Sequence, residues 1–155
     1  MIKILFVCHG NICRSPMAEF VMKDMVEKRG IAGEFYIASA ATSTEEIGND
    51  IHPGTKRKLA EQKIPFGKRA ARQVARGDYD RFDYFIGMDS WNIKNILRLL
   101  KTDDEKKVSR LLDFTGRPRD IADPWYTGNF DETYADVTEG CEAFLEFLGF
   151  GSQKL

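Results

Sequence analysis

The chain reads as an α/β fold: one domain over residues 1–155, a three-layer sandwich in which a four-stranded parallel sheet is covered by helices on both faces. Two observations predict it. Short apolar, β-rich runs alternate with longer stretches of helical periodicity, the signature of successive β-α-β units. Clusters of Gly, Pro, Asn and Asp fall between these runs, and no internal repeat, low-complexity tract or linker interrupts them.

Lys3 to Val7 is short, β-branched and aromatic, as in a buried strand, and it stops at a Gly-containing turn. A helix is predicted next, with Ser15 as its cap and Pro16 in a tolerated first-turn position. Ala18, Val21, Met22, Met25 and Val26 share one face of it, and Gly30 closes it. Phe35 to Ala40 forms the second strand and Ala41 to Asn49 a polar loop. Pro53 opens a basic helix that reaches about Gln62, and a basic run from Lys68 to Arg72 follows. Tyr84 to Met88 is the third strand. Asp89 and Ser90 offer a cap to a helix whose buried stripe is Ile93, Ile96, Leu97 and Leu100. Val108 to Leu112 is the fourth strand, Asp113 to Asp131 an irregular segment rich in Gly, Pro and Asp, and Tyr134 to Leu148 the last amphipathic helix.

Composition excludes several functions. The formal charge of −1 argues against a nucleic-acid binder, which carries a basic excess. No apolar run approaches the roughly 20 residues that span a bilayer, and the N-terminus lacks the longer apolar region of a signal peptide. A cytoplasmic monomer without membrane association is expected. Three cysteines are too few for a disulfide scaffold, and the two histidines have no zinc-like spacing. With no phosphate-binding Gly-Lys-Ser/Thr or dinucleotide motif, we expect neither metal nor cofactor.

One stretch carries chemistry: Val7-Cys8-His9-Gly10-Asn11-Ile12-Cys13-Arg14-Ser15-Pro16. A strand, a tight loop and a helix start in succession aim backbone N–H groups at one spot, which makes an anion cradle. Ligands in parallel α/β sheets bind at the carboxyl ends of strands, where Cys8 lies. A cysteine attacks as thiolate, a form that loop amides and the nearby Arg14 stabilise. Arg14 has a planar fork that matches two phosphate oxygens at once. Gly10 lets amides approach the anion, and Asn11 is suited to a left-handed turn. Ser15 can also donate a hydrogen bond to the Cys8 sulfur.

These ten residues resemble the signature of the low-molecular-weight protein tyrosine phosphatases, Val-Cys-x-Gly-Asn-x-Cys-Arg-Ser-Pro. Ser39-Ala40-Ala41-Thr42-Ser43, Ala71-Arg72-Gln73, Phe82-Asp83-Tyr84, Met88-Asp89 and Asp123-Pro124-Trp125-Tyr126 extend the likeness over nearly the whole chain. The resemblance implies a flavodoxin-like sheet of order 2-1-3-4. It further implies that Cys8 attacks phosphorus while Arg14 and the loop amides hold the oxygens. Asp123 then protonates the leaving group and activates water, and Trp125 and Tyr126 wall the slot for an aromatic ring. Ser39 matches a residue that holds Asn11, and Asp89 is a further supporting residue. Arg69 stands where the family has a supporting histidine. Cys13 matches a loop cysteine able to form a reversible disulfide with Cys8. His9 lines the pocket mouth, and Glu45 falls where relatives place a specificity aromatic.

The expected partners are phosphotyrosine-containing proteins, with phosphate or vanadate as active-site ligands. Within the same fold, a protein-arginine phosphatase and a thiol-dependent arsenate reductase are the alternatives. Ile12, where arginine phosphatases carry threonine, favours phosphotyrosine. Cys141, on the apolar stripe of the last helix, is badly placed to relay a disulfide as an arsenate reductase requires.

Overall fold

The computed structural model describes residues 1–151, so residues 152–155 of the expected domain lie outside the described residues. Four parallel strands, β1 (Ile2–Cys8), β2 (Phe35–Ala41), β3 (Tyr84–Gly87) and β4 (Val108–Arg110), form one sheet in the order β2-β1-β3-β4. That is the expected 2-1-3-4 topology. β1 is central, and its alternating side chains divide the core. Ile4 and Phe6 face one side, where α1 (Arg14–Lys28), α2 (Pro53–Glu61) and α5 (Phe130–Phe147) contribute Met17, Val21, Leu59, Val137 and Phe144. Leu5 and Val7 face the other, against Val74, Phe82 and Phe85, with Ile96 and Leu100 from α3 (Ser90–Leu100). Both faces are covered, which is why β1 is continuously apolar and buried from Ile4 to Cys8 rather than alternating.

Three local readings are corrected. The helix after the loop begins at Arg14 with Cys13 as a cap residue that makes no side-chain capping bond. Ser15 is therefore inside the first turn, and its hydroxyl is turned to the loop instead. The fourth strand stops at Arg110, because Leu111–Phe114 turn into a 3-10 helix whose Leu111 and Leu112 are buried. The irregular segment contains a one-turn helix, α4 (Pro124–Thr127), and the last helix starts at Phe130, where the Asn129 side chain accepts from Glu132 N. Asn129 supplies an N-cap that the apolar stripe alone could not locate.

Close approach explains one glycine. A Cβ on Gly54, in the first turn of α2, would lie 2.4 Å from Cζ of Phe130, so the two helices meet here only because the side chain is missing. Among the described residues, no helix is long and apolar enough to cross a membrane.

Candidate active site

Residues 9–13 form the loop from the end of β1 to the start of α1, at the edge where the strand order reverses. Cys8 lies at the carboxyl end of β1 with its thiol 3% exposed as a residue. Three donors converge on Sγ: the amides of Asn11 at 3.3 Å and Ser15 at 3.4 Å, and the Ser15 hydroxyl at 3.0 Å. The hydroxyl's role follows from its other bond. Ser15 Oγ accepts from Asn11 Nδ2 at 2.8 Å, so its single proton is free to go to sulfur.

Asn11 holds the turn. Its φ of 58° is left-handed, as expected for Asn after glycine in order of tolerance. Its amide nitrogen also donates to Ser39 Oγ at 2.9 Å, and Ser39 donates to Glu19 Oε1 at 2.6 Å. Glu19 therefore fixes every proton in the relay from carboxylate to sulfur. On the other side the Arg69 guanidinium donates to the Asn11 carbonyl, and to the Asn49 carbonyl at 3.2 Å. Burial pulls Arg69 down from its ordinary range while Glu19 opposes the fall. The residue standing at the family's histidine position thus supports the loop from behind.

Arg14 is 2% exposed. Its Nη1 donates to Asp89 Oδ2 at 2.6 Å and to the Ile121 carbonyl at 2.8 Å, and Nη2 lies 3.4 Å from Asp123 Oδ2. Burial works against its charge, but Cys8, Asp89 and Asp123 more than offset this and raise it above the usual arginine value. Arg14 Nε is buried with no hydrogen-bond partner among the described residues. A buried guanidinium N–H without an acceptor is rare, and it leaves a donor for an anionic ligand.

Asp123 is the N-cap of α4; its Oδ1 accepts from Trp125 N at 3.0 Å. A cleft of about 490 Å³ opens between this cap and the loop. Cys8, Gly10, Cys13 and Arg14 line its floor, and Ile12, Trp125 and Tyr126 its walls. His9 and Glu45 pair across the mouth at 2.6 Å, with Glu46 beside them. Asn11, Ser15, Ser39, Arg69 and Asp89 stand behind the cleft, acting through Cys8, the loop or Arg14. Cys13 is raised to about 12 by burial and then by Cys8, so its thiol keeps its proton at neutral pH.

Four contributors were not anticipated: Glu19, Glu46, the Ile121 carbonyl and Arg72, whose amide donates to Asn11 Oδ1 at 3.4 Å. Only Glu19 carries a sequence signal. Asn11, Ser15 and Glu19 recur every four residues, so on the helix Ser15 and Glu19 share a face.

A family model described as low molecular weight phosphotyrosine protein phosphatase matches residues 3–154. The low molecular weight protein-tyrosine-phosphatase YfkJ of Bacillus subtilis is 42% identical over 147 residues, 94% of each chain. Its crystal structure covers 99% of this chain and 98% of its own with a TM-score of 0.92. The low molecular weight protein tyrosine phosphatase SP-PTP of Streptococcus pyogenes, 42% identical, covers 96% and 93% with a TM-score of 0.86. A Drosophila arginine phosphatase, 28% identical, covers 95% and 98% with a TM-score of 0.87. With a sheet of the same order, a cysteine-arginine loop at its edge and this extent of likeness, the chain belongs to the low molecular weight phosphotyrosine protein phosphatase family.

Proposed function

We propose that the protein hydrolyses phosphotyrosine and small aryl phosphates through a cysteinyl-phosphate intermediate. The observation that carries this reading is the buried Arg14 Nε without a partner, beside a cysteine whose sulfur receives three donors. A phosphate oxygen is the acceptor that Nε lacks among the described residues. Cys8 Sγ attacks phosphorus in line, an S–P bond forms, and the bond to the phenolic oxygen breaks. Charge spreads over three equatorial oxygens held by Arg14 and the amides, fixed before the reaction begins. Asp123, at the mouth opposite the loop, gives its proton to the departing oxygen. It then takes one from the water that attacks the cysteinyl phosphate, regenerating both residues. When water displaces the sulfur from phosphorus and the S–P bond breaks, the hydrogen bond from Ser15 supports the departing sulfur as thiolate.

Ile12, Trp125 and Tyr126, the apolar part of the lining, support an aromatic phosphate over phosphoarginine. His9 and Glu45 at the mouth are suited to contact residues flanking the phosphotyrosine.

The test is a side-by-side assay on phosphotyrosine, phosphoarginine and arsenate with a thiol reductant. Phosphotyrosine turnover is expected, undiminished by a chelator and competitively blocked by vanadate or phosphate. Cys8→Ser is expected to abolish it; a fully active Cys8→Ser protein defeats the mechanism. Preferred turnover of phosphoarginine would assign the protein to the other substrate class.

A further inference from the structure

Asp123 has few bonds of its own. Its carbonyl accepts from Tyr126 and Thr127 N and its carboxylate from Trp125 N, all local, and among the described residues only the long 3.4 Å contact with Arg14 reaches across the chain. Its place over the loop must therefore be set by the backbone that leads to it, through residues 111–122. Ala122, directly before Asp123, is weakly held, its carbonyl receiving only a 3.5 Å contact from Thr133. The firm attachments lie just upstream. Ile121 N donates to the Met88 carbonyl at 2.9 Å, and one residue earlier Asp120 reaches over to the first turn of α3.

Asp120 Oδ1 accepts three hydrogen bonds from two separate elements. Ser90 N donates at 2.9 Å, the Ser90 hydroxyl at 3.0 Å, and Arg110 Nη1, at the end of β4, at 2.9 Å. Arg110 is itself oriented by Asp113, which its Nε reaches at 2.9 Å. Ser90 directly follows Asp89, the carboxylate that holds Arg14. One side chain thus ties the acid-bearing segment to the residue next to Arg14's own anchor.

We propose that Asp120, clasped by Ser90 and Arg110, is a positioning residue that sets where Asp123 stands over the phosphate loop. Asp120 exchanges no proton with substrate. It acts through Asp123, whose proton passes to the leaving oxygen as the P–O bond breaks and the S–P bond forms. The proposal rests on the reading of Asp123 as general acid. The clasp is partly exposed, with the Asp120 side chain 50% accessible, and exposed ion pairs contribute little to global stability. Its loss should displace the acid without unfolding the protein.

The experiment compares kcat/KM, which reports transfer to Cys8, for phenyl phosphate and 2,4-dinitrophenyl phosphate. The first has a leaving group that needs a proton and the second does not. Asp120→Ala is expected to slow phenyl phosphate about tenfold, the scale of a modest misplacement of a catalytic group. It should leave the dinitrophenyl ester within about twofold, because that reaction draws little on the acid. Arg110→Ala should act in the same direction, and Asp120→Asn, which keeps an acceptor oxygen, should retain part of the rate. The inhibition constant of inorganic phosphate and the melting temperature should stay close to the parent's. Asp123→Ala is the reference for a missing acid. If it discriminates between the esters while Asp120→Ala and Arg110→Ala do not, the clasp has no positioning role and the acid reading stands. If Asp123→Ala slows both esters alike, the acid reading falls and the proposal with it.

Discussion

Asn11 is held in a left-handed turn by three residues from two parts of the chain: Ser39 on β2, and Arg69 and Arg72 from the basic run. Arg69 is the charged member, and its fork serves two carbonyls, those of Asn11 and Asn49. Arg69→Ala is expected to weaken inhibition by inorganic phosphate about tenfold, the worth of one hydrogen bond from a charged donor. Arg69→Lys should recover little, since an ammonium cannot reproduce the planar fork. Cys13 gives a second prediction. Burial and the neighbouring Cys8 raise its pKa to about 12; the reactive thiolate is absent below that and grows only as pH approaches it. Limited alkylation at about pH 8, mapped by mass spectrometry, should modify Cys8 and spare Cys13. Equal labelling of the two would show that Cys13 ionises far more readily than its surroundings allow.

Among elements, the contact of α2 with α5 leaves no room for a side chain at Gly54. Phe130 fills the space where a Gly54 side chain would stand, stacks on His52 at 5.3 Å, and His52 meets Trp125 edge-on at 5.6 Å. Gly54→Ala must push this ring aside, at a cost of about 2 kcal/mol for overpacking. For a chain of this size that lowers the melting temperature by several degrees, measurable by circular dichroism. Most element types were legible in the sequence, since periodicity and β-α alternation report burial directly, whereas the sheet order came from the family resemblance. Boundaries failed where a side chain serves the site or a turn rather than its own helix. Ser15 looks like a cap, but its hydroxyl is taken by Cys8 and Asn11. Val108 to Leu112 looks like one strand, but the hydrogen bonds from Arg110 to Asp113 turn the chain after the third residue.

At the scale of the molecule, a ligand that binds only the folded site stabilises the whole fold. Inorganic phosphate at 100 times its dissociation constant should add about 2.7 kcal/mol to stability. That corresponds to a rise of roughly 5–10 °C in melting temperature, read by thermal shift. Arg14→Ala should remove the rise; an undiminished rise would mean that phosphate binds elsewhere. The phosphate loop itself was readable because it is local: ten consecutive residues contain the nucleophile, the arginine and the turn. Its supports were only partly so. Glu19 shares a helix face with Ser15, but nothing in the chain announces that the Ile121 amide and Asp120 will lie beside Met88 and Ser90.

Arg14 bonds to partners 75 and 107 residues away and lies beside a third 109 away. Contacts of that span close long loops, so they are expected to form late in folding. An intermediate can possess every helix and still have an arginine with nothing to hold it. On refolding, the ability to bind phosphate must return after helical signal, and it marks the moment when the two halves of the chain have found each other.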